Sequence, residues 1–191
     1  MRTLYLLRHG LTEANERHLY CGRTDLPLSA RGAEQARSLF QNRPLPVCDL
    51  YISSGMRRAN ETLSLLTGRG PDYVLSELRE IDFGRFEMSG YDELKADPDY
   101  LRWIEDDAGT VPCPDGESSR DFAVRVRRGG DKLLRMPWDS AVAVCHGGTV
   151  VRLMEAWFPK EPRTFYDWQP SACGGWRVEF NNQTPVAFYR I

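Results

Sequence analysis

The chain has 191 residues, 41% of them hydrophobic and 27% charged, and a formal net charge of −2. That length suits a single domain over residues 1–191 with a full core, and no apolar run approaches the length of a bilayer span. The near-zero charge provides no global basic field for nucleic acid or a membrane surface, so any anion must be held locally. Five scattered cysteines with no C-x-x-C pair indicate neither a zinc site nor a disulfide framework. Met1-Arg2-Thr3 leads straight into apolar residues without the layout of a signal peptide. The expected setting is a reduced, cytoplasmic one.

In chain order, a first strand is predicted over Thr3 to Leu7. It runs directly into Arg8-His9-Gly10, with Thr12 placed to cap a following helix. The turn-rich stretch Tyr20 to Ser29 reads as a loop. Ser29 then caps a helix whose apolar face is Ala33, Ala36, Leu39 and Phe40, ending before Pro44. A second strand covers Leu50 to Ser53. Ser53 or Ser54 caps the next helix, in which Met56, Ala59, Leu63 and Leu66 recur at helical spacing up to Gly68. A short strand is expected around Tyr73 to Leu75.

Residues 76–117 are the least regular. Ile81 and Phe83 alternate like a strand before Gly84. Helical patches follow at Tyr91–Ala96 and Tyr100–Glu105, then a turn cluster at Pro112 to Gly116. Ser118 or Ser119 caps a long helix through Phe122, Val126, Leu133 and Leu134, with Gly129-Gly130 weakening its middle. Ala141 to Cys145 is apolar throughout and reads as a strand buried on both faces. His146-Gly147-Gly148 follows, and a helix through Val151, Met154 and Trp157. Two last strands, Trp176–Phe180 and Val186–Tyr189, flank Asn181-Asn182. Strand–helix alternation predicts an α/β fold, a mostly parallel sheet with helices on both faces.

The chain has three histidines. His9 and His146 both follow a predicted central strand and precede glycine, at the strand ends where α/β proteins bind ligands. His18 has no such setting and reads as a surface residue. Metal binding is the rival use of two histidines, but no ligand set can be assembled and the nearest partners are arginines. Arginines point to an oxyanion instead: Arg8 adjoins His9, and Arg58 sits in the first turns of a helix after the second strand. By position alone Arg58 also reads as a solvated helix charge, and a general acid cannot be chosen among Glu13, Glu80 and Glu87.

Taken together, Arg8-His9-Gly10, Gly22-x-x-Asp25-x-Pro27-Leu28-Ser29, Ser53-Ser54-x-x-x-Arg58-Ala59-x-x-Thr62, Leu78-x-Glu80-x-x-Phe83-Gly84, Gly116-Glu117-Ser118 and His146-Gly147-Gly148 resemble the histidine phosphatase superfamily, also called phosphoglycerate mutase-like. The resemblance spans about Leu4 to Arg152, in the family's order. It implies a three-layer α/β/α sandwich and a cofactor-independent phosphoric monoester hydrolase needing no metal. It makes His9 the nucleophile that becomes a phosphohistidine. Arg8, Arg58 and a protonated His146 hold the phosphoryl oxygens, and Glu80 acts as general acid and base. Asn15, Cys21, Gly22 and Gly147 join the substrate site.

Many members carry Trp-Glu-Gly where this chain has Phe86-Glu87-Met88. That departure, with Tyr100-Leu101-Arg102-Trp103 downstream, looks like the α-ribazole-5′-phosphate phosphatases of cobalamin assembly. The expected partner is a small phosphorylated metabolite, with residues 76–117 as a lid or wall over its leaving group. Tyr91, Tyr100 and Trp103 are candidates to stack on an aromatic base, and Arg85, Ser89 and Arg102 to touch a sugar. Single aromatics in short helices are more often core. Phosphoglycerate mutase, a broad-specificity phosphatase, a protein phosphatase and a non-catalytic regulatory protein remain alternatives. The last is disfavoured because Arg8, His9, Arg58, Glu80 and His146 are all present. Edge strands near the C-terminus leave a homodimer open.

Overall fold

The computed structural model describes residues 1–191, except the side chain of Phe40, so that residue's predicted place on its helix face lies outside the described residues. Strands β1 (Arg2–Arg8), β2 (Leu50–Ser53), β3 (Tyr73–Val74), β4 (Ser140–Cys145), β5 (Gly175–Asn181) and β6 (Thr184–Arg190) form one sheet in the order β3-β2-β4-β1-β5-β6. The first four of that order are parallel, and β5 and β6 join antiparallel. The helices are α1 (Glu13–Glu16), α2 (Ala30–Asn42), α3 (Arg57–Thr67), α4 (Tyr91–Leu94), α5 (Pro98–Ile104), α6 (Ser119–Arg135), α7 (Gly147–Trp157) and α8 (Phe165–Trp168). None is long and apolar enough to cross a membrane among the described residues.

The period-two geometry of strands separates the two cores. Leu4, Leu6, Ala141, Ala143 and Cys145 pack with residues of α6 and α7 on one face. Leu7, Val142 and Val144 pack with Ala36 of α2 and Ala59, Leu63 and Leu66 of α3 on the other. This is the expected three-layer sandwich, and β4 is buried on both faces, as its unbroken apolar run predicts. Each fully buried Leu or Val contributes roughly 1.5–3 kcal/mol.

Local signals decide most boundaries. Ser29 caps α2 through the Gly32 N–H, Ser118 caps α6 through the Asp121 N–H, and Gly68 closes α3 at φ 70°. The cap of α3 differs from expectation. Its N-cap residue is Met56, without a side-chain bond, and the Arg57 N–H is taken by Asp25 Oδ1 at 2.7 Å from the neighbouring loop. Ser54 is diverted to His146. Helix α6 runs unbroken through Gly129-Gly130, where a Cβ would lie 2.8 Å from a Leu78 methyl and 2.7 Å from a Leu153 methyl, so these glycines allow close packing.

The strand expected at Ile81 and Phe83 does not form. The N–H groups of Ile81, Asp82 and Phe83 go to the carboxylates of Glu80, Glu117 and Glu87, leaving none for a ladder. A 3₁₀ turn follows at Gly84–Phe86. Met88 has φ 61°, a left-handed conformation that favours glycine. That accounts for the glycine many members of the resembled family carry there. Helix α8 was not anticipated, although Thr164 and Asp167 form a capping box over it.

Candidate active site

The parallel register pairs Arg8 with Cys145 and Val144 with Ser53, so three neighbouring strands end side by side. The residues that follow them, His9, Ser54 and His146, therefore meet. The two imidazoles stand with ring centroids 5.0 Å apart. Both are almost fully buried, as is Arg58.

His9 is fixed in one tautomer. Its Nδ1 lies 2.7 Å from the Gly10 carbonyl, which can only accept, so the proton is on Nδ1 and the lone pair on Nε2. Thr62 holds the turn by accepting the Gly10 N–H and donating to the Arg58 carbonyl. Burial and the neighbouring Arg58 cation lower the His9 pKa to about 3. The ring is a neutral base at physiological pH.

Arg58 is not the solvated charge its position allowed. Its Nη1 and Nη2 donate to the carbonyls of Thr24 and Gly22, each at 2.8 Å, and its Nε donates to His146 Nδ1 at 3.3 Å. Because His146 accepts at Nδ1, its proton sits on Nε2, which donates to Ser54 Oγ at 2.8 Å. Burial and Arg58 push the His146 pKa well below the usual range. At rest the site thus holds a neutral imidazole between a cation and a hydroxyl, whereas the sequence reading has His146 protonated on the phosphoryl group.

Arg8 leaves its Nε buried and unpartnered while Nη1 donates to the Pro170 carbonyl. An orphaned guanidinium donor costs stability unless a ligand can answer it. Asn15 accepts the Thr12 N–H at Oδ1, so the amide nitrogen is the end of that side chain left to donate. Asn15 and Cys21 line the same cavity as Arg8, and Gly147 packs against the Arg8 guanidinium. Gly22, named as a substrate-site residue, has its N–H on Glu87 and its carbonyl on Arg58. It frames the site, and neither backbone group is free for a ligand.

Glu80 hangs from two backbone donors, Ile81 N–H at 3.0 Å and Gly148 N–H at 2.9 Å. Burial raises its pKa, against those two bonds and the arginines, which lower it. The segment that carries it is held by Arg125. That guanidinium forks onto Glu117 and donates to the carbonyls of Glu77, Arg79 and Glu80. A Cβ added at Gly148 would lie 2.6 Å from Glu80 Oε1, so any side chain there displaces that carboxylate. Gly148→Ala is expected to lower kcat by about 10²-fold with little change in fold, as misplaced catalytic groups do. Steady-state kinetics beside a thermal melt checks this.

The cavity that opens here has a volume of about 430 Å³. Arg8, Glu80 and Gly148 line it, and Tyr20, Phe83, Trp103 and Phe122 supply aromatic wall. Of the three aromatics named for stacking, only Trp103 is there. Tyr100 is buried, with its hydroxyl 2.6 Å from that of Tyr20, and Tyr91 is largely exposed elsewhere. Of the three sugar candidates none lines the cavity. Arg85 pairs with Asp97 and Asp99, and Arg102 with Asp99. Ser119, Arg152 and Gln169 line it in their place, beside Arg8, Asn15 and Glu80.

Sequence reasoning missed Ser54, Thr62, Arg125 and Glu117 as site supports, and placed Glu87 among acid candidates and in the Phe86-Glu87-Met88 segment without a structural role. Their contacts run largely through backbone groups, which no spacing rule exposes. The Ser53-Ser54 and Gly116-Glu117-Ser118 motifs were the available signals.

Chemically, the arrangement offers a neutral imidazole nucleophile, two fixed guanidinium groups and a carboxyl poised toward its acid form. That set suits transfer of a phosphoryl group. Known proteins agree. The sequence profile of the histidine phosphatase superfamily (branch 1) matches residues 4–188. The adenosylcobalamin/alpha-ribazole phosphatase of Escherichia coli K12 is 33% identical over 156 residues, 79% of this chain and 76% of that protein. A provisionally named phosphoserine phosphatase 2 of Hydrogenobacter thermophilus is 34% identical over 154 residues, 78% of this chain and 75% of that protein. The crystal structure of a provisionally named alpha-ribazole-5′-P phosphatase from Escherichia coli superposes with a TM-score of 0.89 at 26% identity, covering 100% of this chain and 95% of that one. The chain therefore belongs to the histidine phosphatase superfamily, and it is a phosphatase of that family's fold.

Proposed function

We propose that this phosphatase is a phosphomonoesterase that works through phospho-His9 and takes α-ribazole 5′-phosphate or a close aromatic nucleoside phosphate as substrate. The observation that carries the mechanism is the His9 tautomer: Nδ1–H is tied to the Gly10 carbonyl and Nε2 is left as the bare nucleophile. Nε2 attacks phosphorus and the bond to the leaving oxygen breaks. Glu80, protonated, donates its proton to that oxygen. Water then attacks phospho-His9, Glu80 takes the water's proton, and the P–N bond breaks to return neutral His9 and inorganic phosphate. Arg8 and Arg58 hold the equatorial oxygens, where charge spreads in the transition state. An arriving phosphate dianion also favours a proton on His146, which can then join them. No metal or other cofactor is needed for any step.

The aromatic wall supports the substrate reading. Tyr20, Phe83 and Trp103 line one cavity with Arg8 and Glu80, which suits a flat base beyond the phosphate. The names of the Escherichia coli relatives point the same way. Residues 76–117 then act as the wall, or lid, over the leaving group. Phosphoserine is the competing substrate suggested by the Hydrogenobacter relative's name, and 3-phosphoglycerate tests the mutase alternative.

Released phosphate is measured with EDTA present on α-ribazole 5′-phosphate, phosphoserine, 3-phosphoglycerate and p-nitrophenyl phosphate. The expected result is a clear kcat/KM preference for the first. Equal, weak hydrolysis of all four removes the substrate assignment and keeps the mechanism. Trp103→Ala is expected to raise KM for α-ribazole 5′-phosphate by about tenfold, the order of one lost stacking contact. It should leave phosphoserine hydrolysis unchanged, and an unchanged KM for the nucleoside phosphate removes the stacking role.

A further inference from the structure

Glu87 sits in the Phe86-Glu87-Met88 departure and has no part in the proton transfers above. Its carboxylate nevertheless accepts five hydrogen bonds. Oε1 takes the N–H groups of Gly22 and Arg23, each at 2.9 Å, and of Phe83 at 3.2 Å. Oε2 takes the Thr24 N–H at 3.2 Å and the Thr24 hydroxyl at 2.6 Å. One side chain thus pins every N–H from Gly22 to Thr24, together with the aromatic wall at Phe83. The carbonyls of that same three-residue loop, Gly22 and Thr24, receive both terminal nitrogens of Arg58. Arg58 in turn touches His146. The loop cannot slide sideways either, because Gly22 packs so tightly on the Ile81 carbonyl that a Cβ there would lie 1.7 Å from it.

We infer that Glu87 is a positioning residue for the phosphate site, acting through the Gly22–Thr24 loop to aim Arg58. The inference rests on the phosphoryl-transfer reading of the Arg58–His146 site. A carboxylate this near an anion site repels the anion, so if charge alone mattered, removing it would tighten phosphate binding. If Glu87 aims Arg58, removing its charge-assisted bonds frees the loop and loosens the guanidinium, and binding weakens. The two roles predict opposite results.

The test is binding of inorganic phosphate by isothermal titration calorimetry to wild type, Glu87→Gln, Arg58→Lys and the double variant. The glutamine can accept at only one end, so Glu87→Gln is expected to weaken phosphate binding by about tenfold. In the Arg58→Lys background, where the fork onto both carbonyls is already gone, the same change is expected to cost less than about threefold, the signature of two residues acting as one unit. Thr24→Val removes one bond to Glu87 without altering charge. It is expected to weaken binding by about threefold, and it serves as the readout if Glu87→Gln does not fold. Unchanged or tighter binding in Glu87→Gln, or the full loss repeated in the Arg58→Lys background, overturns the inference. Absence of phosphate binding by the wild type overturns the phosphoryl-transfer reading itself, which separates the two failures.

Discussion

His9→Ala is expected to abolish phosphate release from every substrate, with kcat reduced by about 10⁴-fold or more, the scale on which a nucleophile's removal acts. The loss is independent of leaving group, because both half-reactions pass through the same nitrogen. It is also independent of stability. His9 is nearly sealed in a neutral state, and removing a buried ring that makes one side-chain bond leaves a small void without an orphaned charge. The variant should therefore fold and still bind inorganic phosphate through Arg8 and Arg58. Wild-type kinetics carry a second mark of the same group. Because the free-enzyme pKa of His9 is depressed to about 3, kcat/KM does not fall through the ordinary imidazole range as His9 protonates. A group with a lowered pKa stays deprotonated to lower pH, so that loss moves to acid pH. A limb near pH 6.5 that disappears when only inactive His9→Ala is assayed would say nothing. The informative comparison is Glu80→Gln, which keeps His9 and must keep the same acid limb.

On the proposed mechanism Glu80→Gln is expected to lower kcat for alkyl phosphate esters by about 10²–10⁴-fold, the usual contribution of a general acid. The same change is expected to cost p-nitrophenyl phosphate far less in the first step, because that leaving group departs without a proton. The pH sign follows from burial. The Glu80 pKa is raised, so its acid form persists above the ordinary carboxyl range. Activity on an alkyl ester should fall as pH rises through that raised value. The limb should be absent in Glu80→Gln. Pre-steady-state kinetics with the two substrate types checks both statements: equal losses for both leaving groups would remove Glu80 as the acid.

The central site was legible because strand ends announce themselves. Two apolar strands, each running into His-Gly, predict a shared site once the sheet is parallel, and the Arg8↔Cys145 register brings them together. Arg58 was legible only through the family resemblance, since its value comes from two loop carbonyls invisible to helix periodicity. The neutral resting state of His146 was not legible, because tautomer depends on which atoms face each nitrogen. The leaving-group wall was the least legible. Tyr100 and Trp103 lie on one short helix, three residues apart, yet one is core and the other lines the cavity. Ile81 and Phe83 alternate like a strand, but carboxylates on Glu80, Glu117 and Glu87 took the backbone donors that a ladder requires.

The most direct test of the account is to trap the covalent intermediate. Enzyme is mixed with α-ribazole 5′-phosphate, quenched in alkali to preserve a phosphorus–nitrogen bond, digested and read by mass spectrometry. The account predicts one added phosphoryl group on the peptide that holds His9, formed faster than product is released and absent from His9→Ala. A phosphoryl group on His146 or His18, or adduct formation that survives in His9→Ala, would contradict it.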